Sequence, residues 1–430
     1  MYIPRVGRFL PNRIRVYPPE EVRVIADNEV APQRVGLKSS DVEAIWRAVE
    51  VYYKMGLQPA MALCIRRNGH VILNRTIGHA RGNSPGSTQE PVLATPKTLF
   101  NMFSASKCVT AMLLHKLIEE GRVNLHAPVA KYIPAFSQRG KGKITVYQVL
   151  THSAGIPNTP SGLISIELVN DKSHIIDRIC QLPLETPPGK TQAYHALHSG
   201  FIVAEIVERI TGNDIQSHLT SLLCAPLGFS HLRYGVSPRD LPFVAQESFT
   251  GPKPFGPPRK LFRTSVGMEF QDAVSLANHP DFLTGVVPSC NIIATADEVS
   301  RYFELLLRMG TLDGVEVFKK RTVTQAVAEY RKGRIDGVIG LPVRFGLGFM
   351  LGGKYLSFYG PDTQRAFGHL GFTNILAYAD PERDISVAFL NNGKPLVAIE
   401  MMLWMRVMWV IASRIPKDYG GKGCPGPNWK

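Results

Sequence analysis

Residues 99–121 read LFNMFSASKCVTAMLLHKLIEEG. From about 105 to 120 the run is mostly apolar, and Gly121 suits the position just past a helix end. The segment predicts a helix that is largely buried. Ser104 stands where a strand-like or loop segment enters that helix, and Lys107 follows three residues later. Residues three apart on a helix share a face, so the Lys107 ammonium is within reach of Ser104 Oγ. Free N–H groups and the positive dipole end at such a helix start stabilise an oxyanion and a developing alkoxide. An isolated S-x-x-K is common by chance. A polar pair turned inward on an apolar helix needs a reason, and nucleophile chemistry supplies one.

On either side of this helix the chain offers the parts of a sheet. Ser40-Asp41-Val42-Glu43 reads as a capping box opening a helix, with Val42, Ile45, Trp46, Val49 and Tyr53 on one apolar face. Two strand-like runs, 61–66 and 70–77, are split by Asn68-Gly69, a hairpin turn pair. Far downstream, Thr295-Ala296-Asp297-Glu298 starts an amphipathic helix through Leu307, and strand signals return at 346–351, 366–369, 374–378 and 385–390. An apolar helix over 396–413 closes the chain. The natural closure is a sheet built from both chain ends, with the middle of the chain as a helical insertion. Residues 1–35 are read as an irregular arm rich in Pro and Arg. The sheet domain comprises 36–124 and 291–430, built from both chain ends, and 125–290 is helical and loop-rich. The stretch Leu241–Gly285, rich in Pro, Gly and Phe with few helical signals, is placed beside a pocket as a lid.

The 430 residues carry 49 Lys+Arg against 35 Asp+Glu, a formal charge of +14, with 44% hydrophobic and 20% charged residues. That balance excludes a disordered chain, a collagen-like repeat and a disulfide miniprotein. The basic residues are dispersed; the densest cluster is Arg5, Arg8, Arg13 and Arg15, with a weaker one at Arg139, Lys141 and Lys143. No zinc finger, RRM core or basic helix accompanies them, so no nucleic-acid partner is expected. Six cysteines, at 64, 108, 180, 224, 290 and 424, include no C-x-x-C pair and sit mostly in apolar runs. They read as buried thiols. The N-terminal stretch has no apolar region of signal-peptide length, and a cytoplasmic protein is expected. Pro395–Ser413 is nearly long enough to span a bilayer but holds Glu400 and Arg406 inside it, so no membrane span is expected.

A serine hydroxyl needs a base. Tyr194, in Gln192-Ala193-Tyr194-His195-Ala196, is the candidate: its phenolate requires a nearby cation, and Lys107 supplies one. Alternatively Lys107 takes the proton and Tyr194 relays it to the leaving group; both routes stay open. Gly368-His369-Leu370-Gly371-Phe372 lies between strand signals, and its glycines let a substrate lie against the strand. The backbone N–H of Phe372, opposite that of Ser104, completes an oxyanion hole. Two other motifs are set aside. Gly82-Asn83-Ser84-Pro85-Gly86 matches G-x-S-x-G, but Pro85 and the following Gly86-Ser87-Thr88 are loop chemistry rather than the helix a nucleophile elbow requires. Gly189-Lys190-Thr191 resembles a P-loop end, yet Leu184 occupies the first glycine position. No H-E-x-x-H occurs, and the twelve histidines lack ligand spacing, so neither metal nor organic cofactor is expected.

With these residues in hand, the chain resembles the serine beta-lactamase-like, penicillin-recognising superfamily, and most of all the family VIII carboxylesterases. The resemblance covers nearly everything after residue 36. It rests on Phe100–Thr110, on Leu150-Thr151-His152-Ser153-Ala154-Gly155, on Pro187-Pro188-Gly189 before Tyr194, on Pro226-Leu227-Gly228-Phe229 and on Thr295-Ala296-Asp297. It implies an α/β (α+β), beta-lactamase/DD-peptidase-like fold, a mixed, mainly antiparallel sheet flanked by helices plus a helical domain, and an acyl-enzyme mechanism with Ser104 as nucleophile and Lys107 and Tyr194 handling protons. His195, His369, Leu370 and Gly371 would face the substrate, the last three standing in for K-T-G.

Two departures bear on substrate. Ala196 stands where relatives place an amide-gripping Asn, and His369 stands where they place a carboxylate-holding Lys. Losing both grips favours neutral esters. Thr373-Asn374 replaces the family's usual glycine pair and narrows the site. The expectation is a serine carboxylesterase for short- to medium-chain esters, a small-molecule enzyme with beta-lactam hydrolysis as a side activity. Its rivals are a beta-lactamase, DD-peptidase or acyltransferase of the same superfamily, and a non-catalytic scaffold on this fold.

Overall fold

A computed structural model describes residues 9–418. Arg5, Arg8 and Cys424 lie outside the described residues. Asn68 and Gly69 both adopt left-handed backbone (φ 50° and 80°), which a two-residue hairpin with right-twisted strands requires. The turn joins strands Ala60–Arg67 (β2) and His70–Arg81 (β3), with Arg67 opposite His70. Strand β1 is Arg23–Ile25, antiparallel to β3. Part of the presumed irregular arm is therefore sheet edge: its short strand uses the outer hydrogen-bonding groups of β3. The late strands are Arg331–Ile335 (β4), Pro342–Phe345 (β5), Met350–Leu351 (β6), Phe367–Leu370 (β7), Leu376–Asp380 (β8) and Ile385–Asn391 (β9). The strand expected over 346–351 is thus shorter.

The main sheet has ten strands in the order β1-β3-β2-β9-β8-β7-β6-β5-β4, with Val92–Leu93 pairing outside β3. Its closure is the pairing of β9 with β2, from Ile385 opposite Arg67 to Asn391 opposite Met61, which joins the two chain ends. Every ladder of this sheet among the described residues is antiparallel. A short parallel pairing, Gly393–Lys394 with Ser248–Phe249, ties the 241–285 stretch to the sheet region.

Alternation along the central strands sorts the faces. Met61, Leu63 and Ile65 of β2 and Val387 and Phe389 of β9 share one apolar cluster with Trp46, Tyr52, Tyr53, Trp404, Val407 and Ile411. The latter six lie on helices Ser39–Tyr53 (α1) and Ala398–Arg414 (α8). Ala62, Cys64, Ala388 and Leu390 face the other way, toward Ser106–Glu119 (α2) and Ala296–Leu307 (α7). That second cluster continues into Lys172–Cys180 (α3) and His198–Thr211 (α4) without a break. The N-terminus of α7 is capped as expected, Thr295 Oγ1 accepting the Glu298 N–H at 3.2 Å. Helix α1 starts two residues earlier than the capping box suggested, with Lys38 rather than Ser40 at its cap. Asp41, not Ser40, supplies the cap oxygen, taking the Lys38 N–H at 3.2 Å. In α8, Glu400 is buried rather than facing lipid, and among the described residues no helix is long and apolar enough to cross a membrane.

The 241–285 stretch contains helices Gly256–Val266 (α5) and Phe270–Leu276 (α6), more helix than its composition signalled. Pro257 and Pro258 fall in the first turn of α5, where a missing N–H costs nothing, and Gly267 ends it in a left-handed conformation.

Candidate active site

The segment before the nucleophile is a two-residue strand, Phe100–Asn101, pairing with Ile292–Ala294. Phe103 then takes φ 45°, a strained value for a bulky residue, and Asn101 Oδ1 steadies it by accepting the Phe103 N–H at 2.9 Å. Ser104 follows in a single 3-10 turn that runs directly into α2. Ser106 Oγ accepts the Ile292 N–H at 3.0 Å, pinning the helix start to the neighbouring strand. Ser104 is partly exposed, whereas its neighbours on both sides are buried.

Lys107 Nζ lies 3.0 Å from Ser104 Oγ and donates to the carbonyls of Ala196 (2.7 Å) and Ser289 (3.0 Å). No carboxylate is among these partners. Burial pulls the Lys107 pKa down from 10.5 to about 7. The two carbonyls occupy two amine protons, so the third position on nitrogen points at the serine. Ser289 itself is wedged against α4: its hydroxyl bonds the Leu197 carbonyl and accepts the Gly200 N–H at 3.0 Å. A side chain at Gly200 would strike it, with Ser289 Oγ 2.3 Å from the Cβ position.

Tyr194 is buried, with the Lys107 ammonium position 5.1 Å from its ring centre. Burial drives its pKa upward, against the hydrogen bonding of Ser104. The ring packs between His152 (4.7 Å) and His369 (5.7 Å). The histidines around it, His152, His195, His198 and His369, are all buried, and desolvation holds them neutral, His195 down at about 4 and His369 at about 3. His369 Nδ1 is 2.6 Å from the Leu370 carbonyl and His195 Nδ1 is 2.7 Å from that of Ala193, so each carries its proton there. Among the described residues no group of three or more His, Cys, Asp or Glu is placed to hold a metal ion.

Ser104, Lys107 and Tyr194 thus meet although 87 residues of chain separate the last two. Leu370, Gly371 and Phe372 stand half-buried at the mouth of the cleft, while His195 and His369 lie behind it. The glycines do different work from that expected. A Cβ on Gly368 would sit 2.1 Å from the Ala377 carbonyl, and one on Gly371 would sit 2.6 Å from the Met102 carbonyl and against Ile375. Protein atoms, not a substrate, fill both spaces; Gly371 lets the end of β7 close on the segment that carries Ser104. The turn beyond it is left-handed at Thr373 and Asn374 (φ 47° and 62°), and Asn374 points into the core onto buried Glu400 rather than into the cleft.

A cavity of about 90 Å³ opens at Ser104. Its wall is apolar: Phe103 and Phe372 beside the serine, Ile164 opposite, and Phe262, Met268 and Leu276 from the α5–α6 stretch. The lid position read from composition is therefore where those helices lie. Among the described residues, no charged side chain lines the cavity. Lys394, fully buried behind Phe103 and 4.8 Å from its ring centre, pairs with Glu247 at 3.0 Å and does not reach the cavity. The two motifs set aside are structural: Ser84 Oγ bonds Ser248 Oγ at 2.6 Å, and Gly189 sits in a turn held by its N–H to the Ser153 carbonyl. The five described cysteines are free and buried.

Residues 47–407 match the family model described as Beta-lactamase. The chain belongs to the beta-lactamase family. Within that family it is 28% identical over 311 residues to an esterase/beta-lactamase of Mycobacterium tuberculosis named LipL, covering 69% of this chain and 70% of that protein. The crystal structure of a penicillin-binding protein homologue from Caulobacter crescentus superposes with a TM-score of 0.75 at 26% identity, over 88% of this chain and 99% of that one. A family VIII carboxylesterase structure gives 0.72 at 22% identity, over 87% and 98%, which speaks to the shared fold. Asn101, Ser289 and Glu400 escaped the sequence reading. Each acts through a contact with backbone or with a residue distant in the chain, and no local pattern marks it.

Proposed function

We propose that this beta-lactamase-family chain is a serine esterase that hydrolyses neutral carboxylic esters of short to medium chain length through an acyl-enzyme on Ser104. The observation that carries the reading is the Lys107 amine, 3.0 Å from Ser104 Oγ, buried with no carboxylate among its partners and half-deprotonated at pH 7. A half-deprotonated amine with its free position on the serine is a base; a buried phenol with a raised pKa is an acid. Lys107 takes the Ser104 proton as Oγ attacks the ester carbonyl. The N–H groups of Ser104 and Phe372 hold the oxyanion. Collapse breaks the C–O bond, and the alkoxide leaves with the proton of Tyr194, which Lys107 replaces. Water then attacks the acyl-enzyme by the same steps in reverse, releasing the acid and restoring Ser104. The cavity supports a neutral substrate, because an anion would have to lie against an apolar wall.

The test is turnover of p-nitrophenyl butyrate against a cephalosporin and an acyl-D-Ala-D-Ala peptide, with intact-mass detection of the adduct. The expected result is kcat/KM for the ester higher on the order of 10²-fold, with one acyl group added to the wild type and none to Ser104→Ala. Faster cephalosporin or peptide cleavage would assign the chain to the lactamase or peptidase branch. No adduct with any of the three would leave a scaffold.

A further inference from the structure

Tyr194 lies in a segment, 189–197, without helix or strand. What holds it comes from the far edge of the sheet. The β4–β5 hairpin reaches across and bonds this segment along its length. Arg331 donates to the Gly189 carbonyl (2.9 Å) and Arg334 to that of Lys190 (3.1 Å). The Gly337 N–H bonds the Gln192 carbonyl (3.0 Å), and Gln192 Nε2 returns to the Val343 carbonyl (2.9 Å). At the hairpin tip Asp336 is fully buried. Its Oδ1 accepts three N–H groups, from Val338 (2.9 Å), Ile339 (3.0 Å) and Tyr194 (3.0 Å), while Oδ2 has no hydrogen-bond partner among the described residues. The first two bonds shape the tip; the third crosses 142 residues of chain to the backbone of the proton-handling tyrosine.

We infer that Asp336 is the positioning residue of Tyr194, setting the height of its phenol over Ser104 and Lys107, so that the sheet-edge hairpin is part of the active site. The inference rests on the acyl-enzyme reading above. Apart from the Ser104 hydroxyl it serves, the Tyr194 hydroxyl has no hydrogen-bond partner among the described residues, so its place depends on ring packing and on this backbone anchor. The negative charge adds a second effect in the same direction: after burial, Asp336 is among the groups that raise the Tyr194 pKa and keep it a proton donor.

A double-mutant cycle separates positioning from a general structural role. Wild type, Asp336→Ala, Tyr194→Phe and the double variant are compared for kcat and KM on p-nitrophenyl butyrate. Tyr194→Phe is expected to lower kcat on the order of 10²-fold. Asp336→Ala is expected to lower kcat by a similar factor with KM changed less than about threefold, and the double variant to be no slower than Tyr194→Phe within about twofold. Asp336→Asn keeps the acceptor oxygen without the charge. It should lower kcat less than Asp336→Ala does, and that loss should vanish in the Tyr194→Phe background. Wild-type kcat in Asp336→Ala, or multiplying losses in the double variant, would overturn the inference. If Asp336→Ala does not fold, an Asp336→Asn loss that persists undiminished in the Tyr194→Phe background, or no loss at all, overturns it alone. A wild-type rate in Tyr194→Phe would instead remove Tyr194 from the mechanism, which is a different failure.

Discussion

Ser104 differs from the other serines of the chain in its surroundings. Its hydroxyl meets a buried amine at a helix start, whereas Ser84 meets another hydroxyl on a loop. Ser104→Ala is therefore expected to abolish p-nitrophenyl ester turnover and Ser84→Ala to leave it within about twofold, read from initial rates of the purified variants. Lys107 makes the activity pH-dependent with a definite sign. Below its pKa of about 7 it is protonated and cannot accept the serine proton; above it, it can. The rate constant kcat/KM should rise through pH 7 and level off. The same shift has a stability consequence. Between pH 7 and 10.5 the unfolded chain holds a proton on this lysine that the folded chain has lost, so this group makes stability rise with pH over that window. Lys107→Met should remove that slope in urea titrations at several pH values, while adding about 1–3 kcal/mol near neutrality.

At the level of elements, the site is made by two close approaches. The end of β7 closes on the nucleophile segment because residue 371 has no Cβ. Gly371→Ala should push the two apart, costing about 1–3 kcal/mol of stability and, through a displaced Phe372 N–H, on the order of 10²-fold in kcat. Melting curves and steady-state kinetics read the two effects. The second approach is aromatic. Phe262 of α5 stacks on Phe372 at 5.5 Å between ring centres and on Phe270 of α6 at 4.9 Å, and Phe372 meets Phe103 at 5.3 Å. This row connects the lid to the turn at the cleft mouth. Phe262→Ala should enlarge the cavity and raise the kcat/KM ratio of p-nitrophenyl octanoate to butyrate by about tenfold.

Across the whole molecule, stability and site are coupled through the region where 241–285 meets the sheet. The pair Lys394–Glu247 is fully desolvated, flanks the short parallel pairing and lies directly behind Phe103. Burial pulls the lysine down and pushes the glutamate up, each opposed by the other's charge. Removing one partner strands the other. Lys394→Met should destabilise the chain by about 3–5 kcal/mol, and the double variant with Glu247→Leu should recover most of it, measured by urea denaturation.

Much of the architecture was legible in local pattern. Asn68-Gly69 admits the left-handed pair a tight hairpin needs, Thr295 three residues before Glu298 marks the start of α7, and the nearly continuous apolar runs of β2 and β9 mark strands buried on both faces. The nucleophile helix was legible too, because an apolar run carrying an inward Ser104 and Lys107 is self-contradictory unless the pair has a task. The helices of the lid were not, since Pro257, Pro258 and Gly267 look like loop chemistry until their places at helix ends are known. Asp336, Ser289 and Asn374 were equally hidden: a carboxylate at a hairpin tip, a serine carbonyl and a turn amide acquire meaning only from what lies across the fold. Sequence by itself settled which side chains were available and which of the patterned stretches form helix and strand, because those depend on neighbours a few residues apart. Tertiary structure alone decided the proton affinities of Lys107 and Tyr194 and the placing of the backbone donors and acceptors around them, because desolvation and hydrogen bonding there are imposed by segments 89 to 182 residues distant.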